Sequence, residues 1–304
     1  MKTVYQQISQ NKLKSYVIFF IFIVIFSGFF YLIGQFYDSP HTYLLFGLII
    51  SSLSAITSYF YSDKIVLFTV GAKPANKKDH FDFFTVTENL AIASGLPMPK
   101  LYVIDDPSPN AFATGRDPNH AVVCVTTGLL KILDRSDLEG VIAHELSHIK
   151  NYDILLSSIV AVLVGTISLI ADWILRSWYW HSWSWQRRDS QRKSENPFLY
   201  LVFILALIIA PIIATLIQLA ISRRREYLAD ASAILLTRNK MGLIDALRKI
   251  SQCSYSLKTA TTSTAHLFFV NPFKSRQHQI VAWLTNLFST HPPIEARIKA
   301  LMEL

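Results

Sequence analysis

Cysteine is nearly absent from this sequence: 304 residues hold two, Cys124 and Cys253. Two lone thiols build no disulfide framework and suit a reducing compartment. Neither stands in C-x-x-C spacing, so nothing points to cysteine-ligated zinc. Charge is scarce as well. Only 16% of residues are Asp, Glu, Lys or Arg, against about 25% in an average soluble chain. Acids are the scarcer sign, 21 against 29 bases, and the formal net charge is +8. Internal repeats and low-complexity segments are missing too.

The deficit in charge is local. It comes from four long apolar stretches, residues 16–37, 43–61, 154–174 and 197–221. At about 1.5 Å rise per residue, such stretches are long enough to cross a bilayer as helices. Asp172 lies near the end of the third, and Pro211 would kink the fourth. The first is too long for a signal peptide, lacks a small-residue cleavage site and is followed at once by the second. It reads as a retained anchor.

Basic residues set the orientation. Lys2, Lys12 and Lys14 precede the first stretch, residues 38–42 carry no Lys or Arg, and Lys64, Lys73, Lys77 and Lys78 follow the second. This places the N-terminus and the segment after Tyr61 in the cytoplasm. Arg223, Arg224 and Arg225 after the fourth stretch agree. Arg187, Arg188, Arg192 and Lys193 do not, because they would lie outside if both later stretches span. Either the earlier spans dominate, or the later pair is a hairpin that stops short of crossing. Trp173, Trp178, Trp180, Trp183 and Trp185 crowd the same region as an interfacial anchor would. The Arg cluster reads as a loop touching anionic lipid rather than as a nucleic-acid site.

What the chain does have is His144-Glu145-Leu146-Ser147-His148, an H-E-x-x-H run. On a helix, residues four apart share a face, so both imidazoles can meet one ion. The intervening glutamate then sits where it can take a proton from a water held there. Leu138, Val141, Ile142, Leu146 and Ile149 repeat at helical spacing, and Ser136 with Glu139 fits a capping box. Upstream, 82–94 reads as a helix and 100–104, 111–115 and 120–126 as short strands, which puts a small sheet beside the metal helix.

Two histidines leave a catalytic zinc site one ligand short. In this acid-poor chain Glu226 and Asp230 stand out. They are four apart, so Glu226 can bind the metal while Asp230 accepts an imidazole N–H.

Taken together, the motifs resemble the HtpX-type membrane zinc metalloproteases, relatives of the CAAX prenyl proteases. The likeness rests on 108–115, on His144 to His148 with Asn151 and Asp153, and on Arg225-Glu226-Tyr227 with Ala229-Asp230. Asn271-Pro272 and Thr290-His291-Pro292-Pro293 with Glu295, Arg297 and Ile298 extend it. The resemblance implies an α-helical membrane protein with about four transmembrane helices and an α+β zincin-like (gluzincin) catalytic domain. One Zn²⁺ would be held by His144, His148 and Glu226, with Glu145 as catalytic base. It also implies the inner or cytoplasmic membrane and an active site facing the cytoplasm. The role would be proteolytic quality control of misfolded membrane proteins under stress, on membrane-protein or unfolded polypeptide substrates and alongside quality-control protease partners.

His291 is either a helix-capping residue or, as the resemblance implies, a group facing the zinc that stabilises an oxyanion or transiently occupies the open metal position. Arg297 either supplies similar charge or anchors the turn. Asn110, Ala111, Phe112 and Ala113 form a candidate substrate-binding edge by resemblance and by strand addition. The chain divides into an anchor (1–61), a first catalytic part (62–153), an apolar hairpin (154–221) and a second catalytic part (222–304). Both ligand helices adjoin apolar stretches, so the metal should sit roughly 10–20 Å from the bilayer surface. A pseudoprotease is disfavoured by the intact Glu145. A transporter is disfavoured by the few spans and their charge-free centres. The resemblance implies that a prenyl protease would have more spans enclosing a chamber, which four apolar stretches do not supply without oligomerisation.

Overall fold

A computed structural model of the chain describes residues 4–35, 38–184, 223–253, 257, 259–261, 263–272 and 292–304. The fourth apolar stretch, the basic loop at 187–193 and His291 lie outside these residues.

Helices α1 (Val4–Gln35) and α2 (Pro40–Thr69) form an antiparallel hairpin. A β-carbon added at Gly34 would meet Tyr43, and one added at Gly47 would meet Phe30. The hairpin is patterned inside out relative to a soluble protein. Phe20, Leu45, Phe46, Ile49 and Leu53 are exposed, while Ser27, Ser51, Ser58 and Ser62 are buried. Small residues at the contact and apolar side chains facing outward are what a lipid solvent selects. Ile8–Gln35 and Pro40–Thr69 are the two described helices long and apolar enough to cross a membrane.

The third expected stretch falls in α6 (Asp153–Ser184). Its first turns are walled in by protein rather than lipid. Leu155, Leu156, Ile159, Val160, Leu163 and Val164 pack against Ile18, Phe22 and Phe26 of α1. α5 (Arg135–Lys150) and the 153–169 part of α6 are together long and apolar enough for a span, but they meet at a bend of 84°.

Between hairpin and metal helix lies a four-stranded sheet of β1 (Lys73–Pro74), β2 (Lys100–Ile104), β3 (Ala111–Gly115) and β4 (Ala121–Thr126). The spatial order is β1-β2-β4-β3, with β2 and β4 parallel and the other pairs antiparallel. β3 and β4 are buried along their whole length. Their alternate residues serve two different cores, as a two-residue period requires. Ala111, Ala113, Val123 and Val125 join the core around α5. Phe112, Val122 and Cys124 face Val66, Leu67 and Val70 at the end of α2. Cys124 is thus core, and burial pushes its thiol pKa well up. The sheet therefore rests on the end of the hairpin, and the boundary drawn at 61/62 falls inside α2.

α3 (Phe81–Ser94) ends at Gly95, whose φ of 71° supplies the left-handed cap. α4 (Thr127–Ile132) follows β4 directly. α5 begins two residues earlier than the Ser136–Glu139 pattern suggests. Asp134 is the cap, accepting from the Asp137 N–H, while the Asp137 carboxylate reaches back to the Asp134 N–H. Ser136 and Glu139 already lie inside the helix, and Glu139 pairs with Arg135 instead. The chain then returns through α7 (Arg223–Thr237), α8 (Lys240–Gln252) and α9 (Ile294–Met302), which pack around α5.

α5 and α8 touch backbone to backbone. A β-carbon at Gly140 would lie 2.7 Å from the Leu243 nitrogen, and one at Gly242 would lie 2.5 Å from the Ser136 oxygen. Backbone cannot yield as a flexible side chain can. Gly140→Ala is therefore expected to push α8 off α5 and to cost about 1–3 kcal/mol. Thermal unfolding in detergent checks this, and an unchanged melting temperature would contradict the close packing.

Candidate metal centre

α5 is buried nearly all round, which is unusual for a helix carrying two histidines and a glutamate. Burial is tolerable because each polar tip meets a partner. His144 and His148 project from one face with ring centroids 4.7 Å apart, and their Nε2 atoms approach to 3.1 Å. α7 supplies the rest. Its buried face carries Glu226, Ala229, Asp230 and Ala233, a helical stripe.

One turn of α7 straddles the His144 ring. Glu226 Oε2 lies 3.6 Å from His144 Nε2, and Asp230 Oδ1 lies 2.8 Å from Nδ1. Glu226 Oε1 lies 3.6 Å from His148 Nε2. Ligand atoms of His144, His148 and Glu226 all fall within 4.8 Å of one another.

This donor set fits a zinc-type cation. Each Nδ1 faces a carboxylate, Asp230 for His144 and Asp153 for His148 at 3.0 Å. An Nδ1–H donated there leaves the Nε2 lone pair facing inward. Two such lone pairs 3.1 Å apart repel unless a positive centre lies between them. Zinc–nitrogen bonds of about 2.0–2.1 Å in a tetrahedron put two nitrogens about 3.3 Å apart, close to the observed spacing. The surroundings also favour positive charge. Burial pulls the His148 pKa down, but the Asp153 hydrogen bond and the Glu226, Asp153 and Glu145 charges outweigh it and lift it to about 9.

Behind His144 the support is layered. Burial alone would raise the Asp230 pKa, but the Arg297 charge and the hydrogen bonds from His144 and Arg297 hold it at about 2. Arg297 is 1% exposed. It grips Asp230 through Nε at 2.9 Å and Nη2 at 2.6 Å, and donates from Nη1 to the Phe269 carbonyl at 3.0 Å. Its Nη2 is 3.4 Å from His144 Nδ1, the nitrogen turned away from Nε2. Among the described residues Arg297 thus stands behind His144, against Asp230 and the Phe269 carbonyl, rather than among the cleft-lining side chains.

Glu145 is 2% exposed and lines the cleft with both histidines. Burial raises its pKa; the His144, His148 and Arg297 charges pull it down, and Glu226 pushes it up, with a net rise. A carboxyl tuned upward can carry a proton as well as take one.

β3 forms one wall of the same cleft. Its Ala111 carbonyl accepts from the Phe269 N–H at 2.7 Å, and its Gly115 N–H donates to Ser158 Oγ at 3.1 Å. Residues 111 and 115 therefore turn their backbone groups away from β4. By the alternation of an antiparallel ladder so does Ala113 between them, and Ala113 lines the cleft. Asn110 and Phe112 are not on that edge. The Asn110 amide is spent on the backbone of Val270, donating to its carbonyl at 2.8 Å and accepting from its N–H at 3.1 Å. Phe112 stacks edge-on against Phe268 on the other face of the sheet.

Three cleft residues carried no role in the sequence. Asp153 orients His148, but it lies beyond a bend that helical spacing does not foresee. Arg225 pairs with Asp153 at 3.2 Å. His266 lines the cleft and donates from Nε2 to the Ser157 carbonyl at 3.0 Å. Nothing in its surrounding sequence signals this.

The Asp230–Arg297 pair should show in acid unfolding of the metal-free protein. A carboxyl with a depressed folded pKa adds stability above its ordinary value of 3.8 and loses it as pH falls toward about 2. Arg297→Met leaves Asp230 buried without its cation. It should cost about 3–5 kcal/mol at neutral pH. It should also flatten the loss between pH 4 and 2 in unfolding titrations.

Comparison with known proteins agrees with the geometry. The description of Peptidase family M48 matches residues 81–304. A protein named protease HtpX homolog from Tropheryma whipplei is 42% identical over 300 residues, 99% of this chain and 98% of its own. Homologs of the same name from Caldanaerobacter subterraneus (43%, 100% of this chain and 98% of its own) and Dictyoglomus thermophilum (45%, 98% and 94%) are equally similar. The crystal structure of Ste24p from S. mikatae overlaps 98% of this chain and 66% of that one, at 19% identity and a TM-score of 0.48. A full-length match at this identity, with the family's description matched over residues 81–304, means that the chain belongs to peptidase family M48, among the HtpX-type membrane proteases.

Proposed function

We propose that this protease is a zinc endopeptidase of the inner, or cytoplasmic, membrane that works from the cytoplasmic side. Its substrates would be misfolded membrane proteins or unfolded polypeptides, cleaved as part of quality control under stress. The observation that carries the reading is the convergence of His144, His148 and Glu226 with Glu145 in a cleft walled by a strand edge.

In that reading His144, His148 and Glu226 would hold one Zn²⁺, and Asp230 and Asp153 keep the two imidazoles aimed. When bound, the metal would supply Lewis-acid chemistry, lowering the pKa of a water and polarising the peptide carbonyl. Glu145 removes a proton from the water and returns it to the leaving amine. No covalent bond to the protein is needed. Ala113 offers one N–H and one C=O to an extended peptide, fixing the scissile bond over Glu145.

Two features support a cytoplasmic site close to the bilayer. The sheet rests on the C-terminal end of α2, and the α5–α6 corner touches Asn11 near the start of α1. That end of the hairpin carries Lys12, Lys14 and Lys64, with Lys73 just beyond it in β1, the basic side expected to stay in the cytoplasm. Four spans in all would require both α6 and the 197–221 stretch to cross.

The deciding experiment compares purified wild type and Glu145→Gln in detergent with zinc, on an unfolded polypeptide and on the same sequence tethered by a membrane helix. Glu145→Gln should lower kcat by about 10²–10⁴-fold while binding zinc as before. A chelator should silence the wild type, and zinc should restore it. Faster cleavage of the tethered form supports membrane substrates, and equal rates count against them. Zinc binding without cleavage by either protein would favour a pseudoprotease.

The strand edge is tested separately. Ala113→Pro removes the N–H turned to the cleft, and edge positions tolerate proline. KM should rise about tenfold, in line with a lost charge-free hydrogen bond of about 1.4 kcal/mol. Zinc content should not change. An unaltered KM would move the substrate off β3.

A further inference from the structure

The two metal-facing histidines are supported from different parts of the molecule. The support of His144, Asp230 gripped by Arg297, lies wholly within the catalytic domain. The support of His148 is reached by the first membrane helix.

We propose that Asn11 of α1 is a positioning residue for the metal centre, so that the anchor completes the site it tethers. This rests on the zinc reading above. Asn11 is 5% exposed. Its Nδ2 donates to Asp153 Oδ1 at 2.7 Å and to the Asn151 carbonyl at 3.0 Å. Arg225 Nη1 approaches the same Asp153 oxygen at 3.2 Å. With Oδ1 held from two sides, Oδ2 is left aimed at His148 Nδ1 at 3.0 Å. A carboxylate held at one oxygen by donors cannot rotate away from the imidazole without breaking those bonds.

The local backbone gives Asn11 its leverage. The chain turns 84° between α5 and α6. Tyr152 at the corner has a φ of 59°, a conformation that non-glycine residues adopt at a cost. Such a corner persists only when its surroundings hold it. Lys12 sits with its Nζ 4.4 Å over the Tyr152 ring, and Asn11 binds the residues on either side of it. Consecutive residues of α1 therefore clamp the bend that places Asp153 beneath His148. An asparagine buried at the contact of a membrane helix is costly unless both amide hydrogens are used. Here both are used on this corner.

The test uses the full chain in detergent. Zinc affinity comes from competition with a chelator of known affinity, ligand geometry from the visible absorption of the cobalt-substituted protein, and folding from melts with and without zinc. Asn11→Leu keeps the branching and heavy-atom count and removes the donor. Asn11→Ser is a milder change whose hydroxyl is too short to span to Asp153, and it carries the comparison if Asn11→Leu does not fold. Ser15→Ala, on the same buried face one turn away, controls for packing. Both Asn11 variants should raise the zinc Kd about 10–100-fold. They should also alter the cobalt spectrum and shrink the zinc-induced rise in melting temperature, while Ser15→Ala matches the wild type. Variants that melt earlier yet keep the wild-type Kd and spectrum would overturn the proposal, because Asn11 would then serve packing alone. A wild type that takes up no zinc would instead overturn the metal reading itself.

Discussion

An imidazole serves a metal only while its ring is held with one nitrogen facing the ion, and here each ring is held by a carboxylate at the other nitrogen. That requirement shapes much of the fold. A buried carboxylate is itself expensive unless it is paired. Asp230 is paired with Arg297, and Arg297 spends a further hydrogen on the Phe269 carbonyl. Phe269 in turn is tied to β3 through its N–H and lies edge-on to His144. The network closes on itself, so the ligand face of α5 is backed by a chain of satisfied polar contacts inside an apolar core. Gly140 and Gly242 let α8 press against the same helix from the side. α5 is thereby immobilised on all faces except the one that opens to the cleft.

The parts of the site that were legible in the sequence are those governed by helical period. His144 and His148 share a face because they are four apart on one helix, and Glu226 and Asp230 do so on another. The placement of Glu226 near Nε2 and Asp230 near Nδ1 of His144 also fits that period, because one helical turn is about the distance across an imidazole with its two partners. The strands at 100–104, 111–115 and 120–126 were legible from β-branched residues and turn signals, to within a residue. The cap of α5 was not. Asp134 and Ser136 are both cap-competent residues with an acid three positions on, and pattern alone does not rank them. The structure favours Asp134, where the Asp137 carboxylate also meets Lys249.

What was illegible depends on tertiary placement. Asp153 is five residues past His148, a spacing that misses the face on any straight helix. It reaches the imidazole only because the chain bends at Tyr152. Arg297 has the right charge for an oxyanion partner, but the fold delivers it to the rear of His144. Asn11 sits near the start of a segment whose composition announces an anchor, and nothing local ties it to a histidine some 140 positions away. Residues such as these follow a joint between elements, and joints leave little periodic trace.

A hairpin that only tethered the catalytic domain would need little contact with it. Their contact here argues for a closer relation. The lipid-facing surfaces of α1 and α2 are apolar, as solvation by acyl chains demands. The end of the hairpin that bears the lysines is instead built into protein. Val66, Leu67 and Val70 of α2 cover one face of the sheet, and Ile18 and Phe22 of α1 cover the root of α6. Without the hairpin, that face of β4 and the first turns of α6 would be bare hydrocarbon, and the bend beneath His148 would lose its clamp. A soluble fragment would thus expose apolar surface on the sheet and on the root of α6, both of which adjoin α5. The membrane hairpin is on this view a structural layer beneath the candidate metal centre as well as an anchor.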